Sequence, residues 1–516
     1  MSASQVARRL VEVLCLAGVT DVVLAPGSRS GPIAVGLHAA DAAGALRLHV
    51  RVDEREAAFL ALGLAKASGR PVPVATTSGT AVANLHPAML EALHAGIGLV
   101  AVTADRPARL RGTGANQTTD QRSIFPGVEL VDDVERLVLA PDRPLQLNLE
   151  LDEPLLEPVT WSFPPPRRTG PPPRAATTTT LPPGPRTIMV AGDSAAAGSA
   201  ALARRAGWPL VAEPSSGART EQALTVGRLL LAHPSLAGRV QRIVSVGHAT
   251  LTRPVTNLLA RTDVEIVHVG DATTFPTVAG PNVTFTDAVE ADGVADPAWL
   301  GEWREADRRV SLAVTELLDG TTPLDVARTV WGAVAGGLLV AGSSNPIRDL
   351  DVVGTAVDDG RLVLANRGLA GIDGTISTAV GAALAHPGRR ALALLGDLTF
   401  LHGANGLLLG PHEPRPDLTV VVANDDGGSI FATLEQGGPE HAAAFERVFA
   451  TPTGTDLAAL CAAHGVGHRH VVPRDLAAAL AERPHGIEVV EVPVDRAGRR
   501  ELDAAVRAEA NRVLGT

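Results

Sequence analysis

Two short segments in the C-terminal third carry the strongest chemical signal in the chain. Gly396-Asp397 ends one apolar run, and Asn424-Asp425-Asp426-Gly427-Gly428 ends the next. The interval between Asp397 and Asn424 leaves room for a strand–helix–strand crossover. In an open parallel sheet, ligands bind beyond the carboxyl ends of the strands, so both residues fall where a ligand is expected. A carboxylate, an amide oxygen and a main-chain carbonyl suit magnesium, which takes its remaining ligands from phosphate and water. Gly427 and Gly428 let the backbone approach a diphosphate closely. Either segment alone reads as an ordinary turn. The two together, on strand ends, predict a metal–diphosphate site.

A third segment, Asp53-Glu54-Arg55-Glu56, follows the apolar run 46–52 and opens an apolar helix. An isolated acidic first turn only complements the positive end of a helix. Arg29, Arg106 and Arg367 sit on strand-end turns, and guanidinium groups bind carboxylates through paired hydrogen bonds. The formal net charge is −11. An anionic ligand must therefore be held by local arginines and backbone amides, not by the field of the whole protein.

The elements that position these residues follow an alternating pattern. Apolar runs at 21–25, 46–52, 72–76 and 99–103 read as strands, with a helix from Glu54 to about residue 69. The pattern restarts at 187–191, 209–212, 242–246 and 265–269, and again at 338–341, 362–365, 391–395 and 418–423. Such alternation predicts an α/β protein of three doubly wound parallel-sheet domains. The expected boundaries are 1–160, 187–320 and 321–516. The stretch 161–186, crowded with Pro, Thr, Arg and Gly, is expected to be a semi-rigid linker.

Composition bounds the possibilities. Hydrophobic residues make up 45% and aromatics only 3%, with no tyrosine, so the core must be built from Ala, Val and Leu. The acidic balance argues against binding to nucleic acid or anionic lipid. Cys15 and Cys461 stand in no metal-ligand spacing. No apolar run is long enough for membrane insertion, and a cytoplasmic location is expected by default.

Further motifs occur in order along the chain. They are Pro26-Gly27-Ser28-Arg29-Ser30, Thr77-Ser78-Gly79-Thr80-Ala81, Thr103-Ala104-Asp105-Arg106-Pro107 and Gly114-Ala115-Asn116-Gln117. Asn366-Arg367-Gly368, Gly371-Ile372-Asp373-Gly374, the Gly396 to His402 segment and Ile430-Phe431 follow. The set resembles the 2-succinyl-5-enolpyruvyl-6-hydroxy-3-cyclohexene-1-carboxylate synthases of menaquinone biosynthesis, within the thiamine-diphosphate-dependent enzymes. It covers the chain except the Pro-rich stretch and much of the middle domain. Leu398 stands where the common diphosphate motif has glycine, as is usual for this synthase. Asp425 and Ser429 replace residues often seen as Asn and Gly.

The resemblance implies a transferase that uses thiamine diphosphate and Mg2+, with Mn2+ as a substitute, to join 2-oxoglutarate to isochorismate with loss of CO2. It implies that 1–160 binds the cofactor's pyrimidine and 321–516 its diphosphate. Glu54 is the implied catalytic residue, bonded to the aminopyrimidine. Thr80, Gln117, Gly371, Ile372, Gly396, Asp397, Leu398, Asn424, Gly427, Gly428 and Ile430 are the implied cofactor contacts. The implied metal ligands are Asp397, Asn424 and the main-chain oxygen of Asp426. Ser28, Arg29, Arg106, Asn116, Gln117, Arg253, Ser344, Arg348, Arg367, Ile430, Phe431 and Leu434 are implied to contact substrate. His402 is expected to be structural. A homodimer or dimer of dimers with active sites shared between subunits is also implied.

Two other readings remain at this stage. An enzyme of the acetolactate synthase kind would share Glu54, Asp397 and Asn424 but not the arginines. A non-catalytic nucleotide- or flavin-binding protein would use the same sheet architecture, although no Gly-x-Gly-x-x-Gly follows a strand in the middle domain.

Overall fold

The structure, a computed structural model, describes residues 1–167, 176–195 and 198–515. It contains three six-stranded sheets, parallel throughout. Across the first lie Arg47–Val50, Asp21–Leu24, Val72–Thr76, Leu99–Asp105, Leu145–Glu150 and Glu129–Val131. Across the third lie Leu362–Leu364, Leu338–Ala341, Ala391–Gly396, Leu418–Asn424, Ile487–Pro493 and Gly467–His470. Counted in chain order within each unit, both sheets read second, first, third, fourth, sixth, fifth. The central sheet differs. Across it lie Ala223–Leu224, Leu210–Ala212, Thr187–Ala191, Arg242–Val246, Glu265–Val269 and Val283–Thr286.

The central strands are buried along nearly their whole length, as in Val72–Thr76 and Leu338–Ala341. That is why they read as continuous apolar runs without alternation. Glu129–Val131 and Gly467–His470 lie at sheet edges and are short and partly polar, so they escape a hydrophobicity pattern.

The helix Glu54–Ser68 is capped by Asp53, whose carboxylate accepts from the amides of Arg55 and Glu56, and it ends on Gly69 at φ 66°. It packs against Thr375–Ala385, so one apolar core spans the first and third units. A second core joins the central and third units and includes Trp299, Trp303, Val506 and Val513.

The stretch expected to be a semi-rigid linker is anchored at both ends. Trp161 and Phe163 pack on the first unit's core, and the Arg167 amide donates to the Leu16 carbonyl. Thr178–Leu181 forms a two-stranded parallel sheet with Ala288–Ala291. Aromatic anchors and one strand thus override a composition dominated by Pro and Thr; positions 168–175 of the stretch lie outside the described residues.

Candidate active site

The order of strands reverses in the third sheet between Leu338–Ala341 and Ala391–Gly396. The loops leaving those strands part there and open a cavity of about 330 Å³. Ser344 and Arg348 line it from one loop and helix, and Gly396, Asp397 and Leu398 from the next. Gly427, Gly428, Ile430, Phe431, Leu434 and Ile372 complete it. These residues were expected at one site from motifs scattered over ninety positions.

Asp397 is 3% exposed. Burial lifts its carboxyl to about 7, facing Asp425 adds to the rise, and the amides of Gly427 and Leu398 oppose it. Asp425 is itself pushed up to about 6 by burial, against the hydroxyl of Ser429, and its Oδ1 is buried without a partner. Two adjacent, poorly solvated acids and an orphaned carboxylate oxygen suit a divalent cation, which relieves both repulsion and desolvation.

The Asn424 Oδ1 accepts from the Asp426 amide at 2.9 Å, while its Nδ2 donates to Glu491 at 2.7 Å. The Asp426 carbonyl accepts from Arg496 Nη1. A metal bound at that oxygen would have to take the place of the guanidinium. The donor set therefore fits magnesium, and the glycine backbone beside it fits a diphosphate.

Backbone strain gathers at the same place. Of the six non-glycine residues among those described that hold positive φ, Ser344 lines the cavity and Asp426 sits between its lining residues Asp425 and Gly427, whereas Gln117 belongs to the first unit. A fourth, Ala370, lines the cavity. Such conformations cost about 1–3 kcal/mol each and persist where function requires them.

Arg348 lines the cavity, and Arg367, close enough to repel it, is not among the lining residues. Arg367 is 2% exposed and donates through Nη2 to Thr250 Oγ1, while its Nε and Nη1 are buried without partners. The Arg348 guanidinium is lowered to about 10 by burial and then by repulsion from Arg367. Arg348 is half-buried and its Nη1 donates to the Ser344 carbonyl at 2.7 Å, so the orphaned donors are those of Arg367, whose planar geometry a carboxylate matches.

The remaining expected residues are distributed differently. Ser28, Arg29, Glu54, Thr80, Arg106, Asn116 and Gln117 all belong to the first unit, and none lines this cavity. Gln117 and Ser78 exchange hydrogen bonds of 2.9 Å beside Gly79. Arg29 is buried and donates to the Leu151 carbonyl. Arg106 is half-buried, with its Nε orphaned. Glu54, expected to be sheltered, is only half-buried, and its carboxylate accepts from Asn84 at 3.3 Å. The deeply buried glutamate of that turn is Glu56, which accepts from Ser377 Oγ at 2.5 Å. Arg253, on the central unit, is exposed and stands 3.8 Å from Glu435. His402 lies 3.9 Å from Asp373. Gly371 borders a separate pocket with Phe59 and Glu91.

Sequence reasoning missed Asn345, which is buried and donates to Ser429 Oγ at 2.7 Å, and the buried Asp349–Arg499 pair at 2.6 Å in the cavity lining. Pro346, in the first turn of Asn345–Val353, is the helix-start signal that could have located the former.

At the central sheet's own switch point the chain closes on itself. Asp193 and His248 exchange main-chain hydrogen bonds of 3.1 and 3.0 Å across it. A Cβ on Gly192 would lie 2.1 Å from the Ala249 nitrogen. The space is filled by the chain itself.

Comparison with known proteins agrees with this geometry. Residues 4–124 match the family described as thiamine pyrophosphate enzyme, N-terminal TPP binding domain, and residues 354–492 match its C-terminal TPP binding domain. A protein of Nocardioides sp. is 53% identical over 98% of both chains. Relatives from Nocardia farcinica and Saccharopolyspora erythraea are 46% and 45% identical, over 98% of both chains and over 96% of this chain and 97% of the relative. All three are named 2-succinyl-5-enolpyruvyl-6-hydroxy-3-cyclohexene-1-carboxylate synthase. The chain belongs to that family of thiamine-diphosphate-dependent enzymes.

Proposed function

We propose that this enzyme decarboxylates 2-oxoglutarate and adds the remaining four-carbon unit to isochorismate, with thiamine diphosphate and a divalent metal as cofactors. The bond from the keto carbon to its carboxylate breaks and releases CO2. A new carbon–carbon bond forms from that former keto carbon to the isochorismate ring, whose alkene takes up a proton. Bound thiamine diphosphate stabilises the negative charge that decarboxylation leaves on the keto carbon.

The observation that carries this reading is Arg348 in the same cavity lining as Asp397, with the buried guanidinium of Arg367, short of partners, close to Arg348. Asp397, Asn424 and the Asp426 carbonyl hold the metal, and Gly427 and Gly428 cradle the diphosphate. Arg348 and Arg367 grip a substrate carboxylate, while Ile430, Phe431 and Leu434 exclude water from the reacting atoms. Glu54, Gln117, Ser28, Arg29 and Arg106 face this cavity from the first unit of a second subunit. That arrangement makes the working form at least a homodimer and supplies the side that a single chain leaves open at Glu54. No helix among the described residues is long and apolar enough to cross a membrane, which supports a cytoplasmic enzyme.

The test is isochorismate consumption with 2-oxoglutarate, thiamine diphosphate and magnesium, comparing the native protein with Glu54→Gln. Turnover that needs both cofactors and collapses in the variant is expected. Turnover of pyruvate instead of 2-oxoglutarate would overturn the substrate assignment, and a fully active monomer would overturn the shared site.

A further inference from the structure

Lys66 is the only lysine in the chain, where Lys and Arg together number 45. It is also buried, at 4% side-chain exposure, as is its partner Asp193 at 2%. Its Nζ donates to Asp193 Oδ2 at 2.7 Å and to the Ala365 carbonyl at 2.5 Å. One ammonium thus joins all three units. Lys66 ends the helix Glu54–Ser68 of the first, Asp193 follows the first strand of the central sheet, and Ala365 follows Leu362–Leu364 of the third. A compact ammonium makes these short contacts where a planar guanidinium is too broad. A buried ion pair contributes little net stability, so its presence argues for a structural specification.

What it specifies lies two residues on, at Arg367. The segment 365–369 is gripped from both sides by the first unit. Lys66 holds the Ala365 carbonyl, and both Glu91 carboxylate oxygens accept from the Gly368 and Leu369 amides at 2.7 Å. Gly368 is required there, because a Cβ would lie 2.4 Å from the Glu91 carbonyl. On the central side, His248 bonds the Arg367 carbonyl at 3.1 Å, and His248 is itself main-chain bonded to Asp193.

We infer that Lys66 and Glu91 are positioning residues for Arg367, clamping its backbone so that its free guanidinium donors are aimed at a substrate carboxylate. This rests on the reading of Arg367 given above. Neither residue touches substrate. A substrate carboxylate is bound before and after the transition state alike, so misplacing Arg367 weakens binding more than it slows chemistry.

Steady-state kinetics of the full-length holoenzyme test this with Arg367→Gln, Lys66→Met and Glu91→Gln, varying 2-oxoglutarate and isochorismate in turn. Arg367→Gln identifies the substrate whose KM depends on that guanidinium. Lys66→Met and Glu91→Gln are expected to raise the same KM by about tenfold with kcat nearly held. Loss of packing alone reduces the amount of active enzyme, which lowers kcat and leaves KM unmoved. A native KM in both variants beside an affected Arg367→Gln would overturn the clamp. A native KM in Arg367→Gln would instead overturn the role of Arg367. Should Lys66→Met fail to fold, native holoenzyme carrying 15N-lysine gives a single ε-ammonium resonance. A shift of that resonance with the Arg367-dependent substrate supports the clamp, and no shift with either substrate would overturn it.

Discussion

Gly63 and Thr378 meet where two helices cross, so closely that a Cβ on the glycine would lie 2.1 Å from the threonine's carbonyl oxygen. Gly381 repeats the arrangement from the other side, with a Cβ 2.2 Å from the Leu60 carbonyl. The two glycines set the spacing of the first and third units within one chain.

Exchanging a mid-helix glycine for alanine normally stabilises by about 0.5–1 kcal/mol. At Gly63 the added methyl meets backbone that cannot rotate away, so Gly63→Ala is expected to destabilise by about 1–3 kcal/mol. Gly301, in the helix Pro297–Glu316 with open space around it, is the control. Gly301→Ala should stabilise. Denaturant midpoints of the two variants check the opposite signs.

Glu56 predicts a pH dependence of stability. Burial lifts its carboxyl from 4.5 to about 7, with the Ser377 hydroxyl and Arg55 opposing. An acid whose folded value is raised contributes fully below the unfolded value and loses that contribution as pH rises through the folded one. The native protein should therefore lose stability relative to Glu56→Gln between pH 4.5 and 7, at up to about 1.4 kcal/mol per pH unit. Parallel curves for the two proteins across that window would refute this.

Asp397 brings the single negative charge of the proposed metal ligand set. Asp397→Asn should weaken Mn2+ binding in the presence of thiamine diphosphate by at least about tenfold. The free Mn2+ signal in electron paramagnetic resonance reads this directly. Unchanged titration curves would move the metal away from Asp397.

Arg348 carries a stability cost for binding. Burial and repulsion from Arg367 disfavour its charge, so Arg348→Gln should raise the melting temperature of substrate-free protein. A hydrogen bond to a charged group contributes about 1.5–3 kcal/mol, so the KM of the substrate held there should rise roughly ten- to hundredfold. A lowered melting temperature with a native KM would assign Arg348 to the fold alone.

Much of the site was legible in the sequence because it sits on strand ends. Gly396-Asp397 and Asn424 to Gly428 follow apolar runs at once, and the rule that parallel strands present ligands at their carboxyl ends needs no tertiary information. The fold class followed from the same alternation. Short edge strands such as Glu129–Val131 did not, since too few apolar residues mark them. Composition marked 161–186 as a semi-rigid linker but not where it is anchored, since Trp161 finds its place only against Gly36, where a Cβ would lie 2.5 Å from the ring.

Residue types and local order, then, determined the strands, the turns and the chemistry each turn can offer. Only the tertiary structure decided that Glu56, not Glu54, is the glutamate buried within the chain. It alone brought Lys66 to Ala365 and Glu91 to Gly368 across nearly 300 positions. No periodicity encodes such pairs. They exist because two sheets of the same strand order pack through glycine-lined helices, and that packing sets which side chains reach the Arg367 backbone.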